Sequence, residues 1–148
     1  MNPRFQVQLK IQKPVADVFE AVVNPTKLCG YFVQSSTGPL VEGVAVKWKF
    51  AEAPPDYVAD VTVQTIEHNA RIVFTWPSDT GGYRTLVEMK FMVLDPANCM
   101  VQITETGWRP DDAGFKASYG NAGGWMHMMC CLKAYLEYGI NLRAGGAL

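Results

Sequence analysis

The chain has 148 residues, of which 49% are hydrophobic and 18% are charged. This length suits one domain whose core needs no disulfide or metal support, and the composition excludes an intrinsically disordered chain. The formal net charge is −1 and the Lys and Arg residues are scattered singly, so we expect no nucleic-acid partner.

The N-terminal segment "MNPRFQVQLKIQKP" contains no apolar stretch of the kind found in signal peptides. No run of apolar residues is long enough to predict a membrane-spanning helix. The four cysteines follow no disulfide or Cys-x-x-Cys spacing; they are Cys29, Cys99, Cys130 and Cys131. We therefore expect free thiols and a cytoplasmic location.

The first third of the chain predicts one strand and two short helices. "RFQVQLKI" (4–11) alternates apolar and polar residues, as a half-buried strand does. A helix should begin at Pro14, because the next valines and Phe19 fall at helical spacing. A second helix should begin at the cap Asn24 and stop at Gly30, and Cys29 at its end should be a small buried residue.

In residues 43–107, apolar side chains mostly recur at every second position. These residues divide into five strand segments at 46–50, 57–67, 71–76, 83–95 and 100–107. Short turn-rich separators indicate a meander of antiparallel hairpins. "DTGG" (79–82) is one such turn rather than a phosphate loop, since no helix follows it. The fourth segment predicts one inward face, made of Thr85, Val87, Met89, Phe91 and Val93.

The segment from Arg109 to Gly124 is rich in proline, aspartate and glycine near its ends and predicts a long loop. We expect it to act as a lid. The last helix should run from about Asn121 or Gly123 to Leu142, followed by a frayed tail.

The last helix gathers its apolar residues on one broad face. That face is formed by Trp125, Met128, Met129, Leu132, Leu136, Gly139 and Ile140, with Tyr135 at its edge. Cys130 lies opposite, and His127 with Cys131 supplies only two of the four ligands of a zinc site. We therefore predict no metal site. Flexible methionines facing inward suit either an irregular core or one side of a ligand cavity.

Several segments occur in a recognisable order: "KPVADVFEAVVNPTKLCGYF", the meander with "RIVFTW", "TETGW", "GGW" and a helix ending in "YLEYG". In this order the chain resembles the family of the activator of heat-shock-protein-90 ATPase homologue domain. That family lies within the START-like, birch-pollen-allergen-like (SRPBCC) superfamily.

The resemblance implies an α+β helix-grip fold, in which a curved antiparallel sheet wraps a long C-terminal helix and two short helices follow the first strand. We expect one domain over residues 1–148, with an ordered core at about 4–142. It also implies an apolar cavity between sheet and helix that holds a small hydrophobic molecule. The related co-chaperone uses a separate N-terminal domain to contact its chaperone, so we do not expect a chaperone partner here.

The candidate ligand-binding residues come from the strand faces and the last helix. They are Trp48, Phe74, Trp76, Met89, Phe91, Glu105, Trp108, Trp125, Met128, Met129, Leu132 and Tyr135. Trp48 and Trp76 can instead serve only as packing between sheet and helix. Trp108, at the start of the predicted loop, is a candidate for the entrance.

Glu105 is the weak catalytic candidate, because its strand phase points it toward the concave side of the sheet. It is a solvated residue instead if the strand ends before it. Tyr31, Tyr119 and Tyr135 are candidates for hydrogen bonds to a ligand carbonyl, and Arg109 for an acidic group or for Asp111 and Asp112.

Three functions remain open from the sequence. The first is a non-enzymatic carrier or sensor of a hydrophobic molecule, with no cofactor. The second is an enzyme of the polyketide cyclase or dehydratase kind that uses Glu105 with a tyrosine or Arg109. The third is a protein-interaction module, including chaperone regulation, which predicts an exposed apolar patch. A homodimer is compatible with all three.

Overall fold

A computed structural model describes residues 1–79 and 82–147, and within them it contains seven strands and three helices. In chain order these are β1 (Phe5–Ile11), α1 (Val15–Val23), α2 (Pro25–Leu28), β2 (Ser35–Ser36), β3 (Ala45–Lys49), β4 (Ala59–Glu67), β5 (Arg71–Pro77), β6 (Arg84–Asp95), β7 (Asn98–Thr106) and α3 (Asp112–Tyr138).

The strands form one antiparallel sheet in the order β1-β7-β6-β5-β4-β3-β2. Strands β2 to β7 follow one another as a meander, and β1 pairs along β7, so that Val7 lies opposite Ile103. The curved sheet packs against α3, which makes its main sheet contacts with β1. The predicted α+β helix-grip fold is confirmed. The strand β2 was not predicted, because a strand of two residues is too short to show an alternating pattern.

The core lies between the concave face of the sheet and the helices α1 and α3. Alternate residues of each strand contribute to it, as a strand with one buried face requires. The sheet residues of this core are Ile11, Val46, Trp48, Ala59, Val61, Val63, Ile72, Phe74, Val87, Met89, Phe91, Cys99, Val101 and Ile103. The helix α3 adds Trp125, Met128, Met129, Cys131 and Leu132.

Val93 departs from the predicted inward face of β6, because 64% of its surface is exposed. The pairing of β6 with β7 changes register between Val93 and Asp95. Val93 itself still pairs in register with Cys99, so its exposure follows from its place near the end of β6 rather than from the shift. The apolar face of β6 therefore ends at Phe91.

The predicted loop and lid from Arg109 to Gly124 are wrong, since α3 already begins at Asp112. Asp111 caps the helix: its Oδ1 accepts a hydrogen bond from the N–H of Gly114 at 2.8 Å. Glycine lowers helix propensity but does not prevent a helix that packing and a cap support. The glycines within α3 are therefore part of a regular helix.

The helix α3 also ends earlier than Leu142. Gly139 adopts a left-handed conformation with φ of 67°, and its N–H donates to the Tyr135 carbonyl at 3.1 Å. Ile140 consequently lies beyond the helix and is half exposed. The predicted frayed tail is wrong at Arg143, whose guanidinium forms an ion pair with Glu52.

The four cysteines are unpaired, as their spacing predicts. Cys29 is exposed rather than buried, because the C-cap position that it occupies after α2 faces solvent. The centre of the predicted "DTGG" turn, residues 80–81, lies outside the described residues.

Candidate functional site

An open cavity of about 300 Å³ lies beside the N-terminal half of α3. Its lining residues come from the segment after α2, the β3–β4 connection, β5, α3 and the C-terminal tail. We call it the aromatic cavity; it is lined by Phe32, Phe50, Glu52, Ala53, Trp76, Asn121, Gly124, Trp125 and Arg143. Its volume is at the lower end of the range of small-molecule sites.

Four aromatic rings form most of the surface of the aromatic cavity. The rings of Trp76 and Trp125 lie 5.2 Å apart and are inclined by only 33°. Phe32 contacts Phe50 edge to face at 5.2 Å and Trp125 at 5.6 Å. Such rings provide rigid, flat and mainly apolar surfaces, which favour a flat apolar guest.

Gly124 leaves room in the wall that α3 forms. A Cβ atom placed on this residue would meet no other atom within 4 Å. The helix therefore has an open space between Asn121 and Trp125, where a larger side chain would project into the cavity.

Glu105 lies fully buried beneath this wall and accepts hydrogen bonds from four neutral side chains. The indole N–H of Trp76 donates to Oε2 at 3.0 Å, and that of Trp125 donates to Oε1 at 2.9 Å. The Thr85 hydroxyl donates to Oε2 at 2.7 Å. The Asn121 amide Nδ2 lies 3.1 and 3.2 Å from the two carboxylate oxygens.

Burial raises the pKa of Glu105 above that of a solvent-exposed glutamate, because desolvation disfavours the charged form. The four hydrogen bonds from Trp76, Thr85, Asn121 and Trp125 oppose this rise, since a carboxylate accepts them better than a neutral acid does. Glu105 points to the concave side of the sheet, as expected. The alternative of a solvated Glu105 is wrong, because β7 does not end before this residue but continues to Thr106.

A buried ion pair forms another side of the aromatic cavity. Arg143 and Glu52 are in contact, and only 15% and 11% of their side chains are exposed. The guanidinium also lies 5.6 Å from the centre of the Phe32 ring, and its Nη1 is 3.4 Å from Nδ1 of His127. The pair brings both charges to the cavity without a net charge.

A second, more polar cavity of about 250 Å³ adjoins the first. It shares Phe32, Glu52 and Arg143 with the aromatic cavity and adds the exposed thiol of Cys29. The Arg143–Glu52 pair therefore lies between the two cavities.

Of the predicted ligand-binding residues, the structure places Trp76 and Trp125 on the aromatic cavity. Glu105 lies directly behind both of them. Trp48 and Phe74 are buried in the next layer, where each contacts the ring of Trp76, at 6.2 and 5.7 Å.

The other predicted residues are brought together elsewhere. Met89, Phe91, Met128, Met129 and Leu132 are buried in the core.

Three aromatic candidates also lie apart from the residues that line the aromatic cavity. Tyr135 lies against Tyr31, with ring centres 5.3 Å apart. Trp108 is buried against Phe5 at 5.8 Å and not at an entrance.

The remaining polar candidates have other contacts. The Tyr31 hydroxyl donates to the Ala21 carbonyl at 3.0 Å, and Tyr119 is 71% exposed. Arg109 lies over the ring of Tyr83, 4.6 Å from its centre. These groups therefore do not converge with Glu105 on one ligand position.

His127 and Cys131 are neighbours, with Sγ 3.6 Å from Nε2. Within residues 1–79 and 82–147, no cluster of three or more potential metal ligands is present.

Sequence reasoning missed seven residues of the cavity: Phe32, Phe50, Glu52, Ala53, Asn121, Gly124 and Arg143. Phe50 shares the phase of Trp48 in the predicted strand segment 46–50 and so carried a usable signal. Asn121 lies one turn before Trp125, but the assumed loop concealed this relation. Arg143 and Glu52 are distant in sequence, so only the fold brings them together.

The fold and this cavity define a helix-grip protein with an aromatic cavity beside its C-terminal helix. The family model described as "Activator of Hsp90 ATPase homolog 1-like protein" matches residues 12–137. The chain belongs to this family.

Solved structures share the fold over nearly the whole chain. The protein SSP2350 from Staphylococcus saprophyticus is 27% identical, with a TM-score of 0.79 over 95% of this chain and 96% of that one. DynU16, a putative protein in the dynemicin biosynthetic locus, is 22% identical with a TM-score of 0.78, over 94% of this chain and 49% of that one. The Aha1 dimer from Colwellia psychrerythraea is 16% identical with a TM-score of 0.74, over 92% and 97%.

Among proteins with curated descriptions, none matches this chain. In the part of the chain that the structure describes, no helix is long and apolar enough to cross a membrane.

Proposed function

We propose that this protein binds a small, flat and mainly apolar molecule in the aromatic cavity, as a carrier or sensor. The observation that carries this proposal is the arrangement of Trp76, Trp125, Phe32 and Phe50 around about 300 Å³ of open space. Buried aromatic surfaces of this kind favour apolar guests because they remove guest surface from water.

The alternatives receive less support from the geometry. The cyclase hypothesis needs two polar groups that reach one ligand position, whereas Arg109 contacts Tyr83 and the Tyr31 hydroxyl is bonded to backbone. The cytoplasmic location stays a prediction, and a homodimer and chaperone regulation stay open alternatives. The name of the Colwellia relative describes a dimer, and that statement belongs to that protein.

The side-chain N–H groups of the tryptophans provide a direct test. Indole and benzofuran are flat probes of the same shape, and either can be titrated into the 15N-labelled protein. We expect saturable shifts of the Trp76 and Trp125 indole signals, because these rings line the cavity. The Trp108 signal should not move, because that ring packs on Phe5 outside the cavity.

Two glycine variants distinguish the cavity from other surfaces. Gly124→Leu places a side chain in the cavity, whereas Gly123→Leu adds the same side chain one residue earlier, at a position that does not line the cavity and also has no atom within 4 Å of its Cβ. Both changes replace glycine by a better helix former, so both variants should fold. Binding should be lost in Gly124→Leu and kept in Gly123→Leu; binding that survives in both variants would refute the proposed site.

A further inference from the structure

The hydrogen bonds around Glu105 determine which polar atoms the aromatic cavity can offer to a guest. Three of its four donors, Trp76, Asn121 and Trp125, are themselves residues of the cavity lining. Both indole N–H groups are directed at the carboxylate and are therefore not available to a ligand. The two tryptophans contribute ring surface only.

The side-chain amide of Asn121 has a fixed orientation for the same reason. In its ionised form Glu105 has no hydrogen to donate, so above its pKa only the Nδ2 end of the Asn121 amide can bond to it. Nδ2 lies 3.1 and 3.2 Å from the two carboxylate oxygens. The opposite end, Oδ1, is a hydrogen-bond acceptor, and within residues 1–79 and 82–147 no donor contacts it.

The other two polar side chains of the lining, Arg143 and Glu52, bind each other. Arg143 and Glu52 form an ion pair, and Arg143 also contacts His127. Asn121 and His127 are six residues apart on α3, which corresponds to about 9 Å along the helix axis. The Asn121 oxygen is thus an acceptor in a cavity whose lining is mainly aromatic, and His127, which Arg143 contacts, lies more than one helical turn away from Asn121.

We propose that Asn121, oriented by Glu105, is a specificity-determining residue of the aromatic cavity and selects flat apolar ligands that carry an N–H or O–H donor at one edge. In this proposal Asn121 contacts the ligand, and Glu105 is a positioning residue that acts through Asn121. The inference rests on the proposed function of the cavity and adds the chemical class of its ligand.

Indole and benzofuran form a matched pair of probes for this inference. They have the same shape, but indole has a ring N–H where benzofuran has an oxygen. Dissociation constants can be measured from the shifts of the Trp76 and Trp125 indole signals. One hydrogen bond between neutral groups should make indole bind about threefold to tenfold more tightly than benzofuran.

Two variants test the roles of the residues. Asn121→Leu removes the acceptor, and the preference for indole should disappear. Glu105→Gln offers a side-chain N–H to the Asn121 oxygen, which permits the Asn121 amide to turn. The preference should then fall to about one or reverse toward benzofuran, an effect that a loss of stability alone would not produce. Thermal unfolding checks that each variant is folded.

The outcomes separate the two proposals. If both probes bind the wild-type protein equally well, the inference about Asn121 is overturned while the proposed function stands. If neither probe binds, both are overturned. If Asn121→Leu keeps the wild-type preference, Asn121 is not the selecting residue. If Glu105→Gln keeps it, Glu105 does not position Asn121.

Discussion

Glu105 is a buried carboxylate whose four partners are all neutral. Burial of a charge is costly, and hydrogen bonds from Trp76, Thr85, Asn121 and Trp125 recover part of that cost. Through these bonds, side chains of β5, β6 and α3 are all held against the same carboxylate. A residue that the sequence suggests only as a weak catalytic candidate thus connects the sheet to the wall of the aromatic cavity.

The raised pKa of Glu105 predicts how its contribution to stability depends on pH. The folded state holds this proton more tightly than the unfolded state does, so the contribution is present below the unfolded-state pKa, at about 4.3. It is lost as the pH rises through the higher folded-state pKa. The free energy of unfolding of the wild type, relative to that of Glu105→Gln, should therefore decrease as the pH rises across this window.

Urea unfolding of both proteins, measured from about pH 4 to about pH 8, checks this prediction. Glu105→Gln cannot titrate at this position and is the control for all other groups. A difference that grows in favour of the wild type with rising pH would show that the hydrogen bonds outweigh burial.

At the scale of elements, α3 shows how one cap and one glycine set the start of a helix. A Cβ atom on Gly114 would lie 2.0 Å from the Arg109 carbonyl oxygen, which is closer than atoms can approach. The chain turns sharply from Arg109 into the helix, and the Asp111 cap holds that turn. Glycine is required here for close approach rather than for flexibility.

We expect Gly114→Ala to destabilise the protein by about 2–3 kcal/mol, because the backbone of the first turn must move. Gly120→Ala in the same helix is the matched control, since a Cβ there meets nothing within 4 Å. It should stabilise the protein by up to about 1 kcal/mol through better helix propensity. Thermal or urea unfolding measures both, and equal effects would contradict the role assigned to Gly114.

At the scale of the whole molecule, the Arg143–Glu52 pair joins the C-terminal tail to the β3–β4 connection. Both charges are mostly buried. Removing one partner leaves the other charge buried without its counterion, which costs more than removing both.

Arg143→Met should therefore lower the free energy of unfolding by about 1–3 kcal/mol. The double variant Arg143→Met with Glu52→Gln should recover part of this loss. A double-mutant cycle with Glu52→Gln alone measures the coupling. Strictly additive effects would show that the pair makes no contribution of its own.

The alternation and helical spacing in the sequence by themselves predicted strands and helices, and the resemblance of the ordered segments to a family predicted the helix-grip fold. The alternation in "RFQVQLKI" and in the four strands of "VKWKF" to "YRTLVEMKFMVLD" reflects the pleat, which is a local property, so it can be recognised without knowledge of the neighbours. The inward phase of Trp76 and Glu105 was readable for the same reason, and that of Trp125 was readable from the helical period.

Only the tertiary structure decided where the cavity lies and where α3 begins. Pro110 and the glycines between Arg109 and Gly124 indicate a loop by local propensity, and the Asp111 cap and helix packing overrode that propensity. Phe32, Glu52, Asn121 and Arg143 come from separate segments, and no local pattern relates them. A cavity depends on which residues meet across the molecule, and those contacts are settled by packing rather than by periodicity.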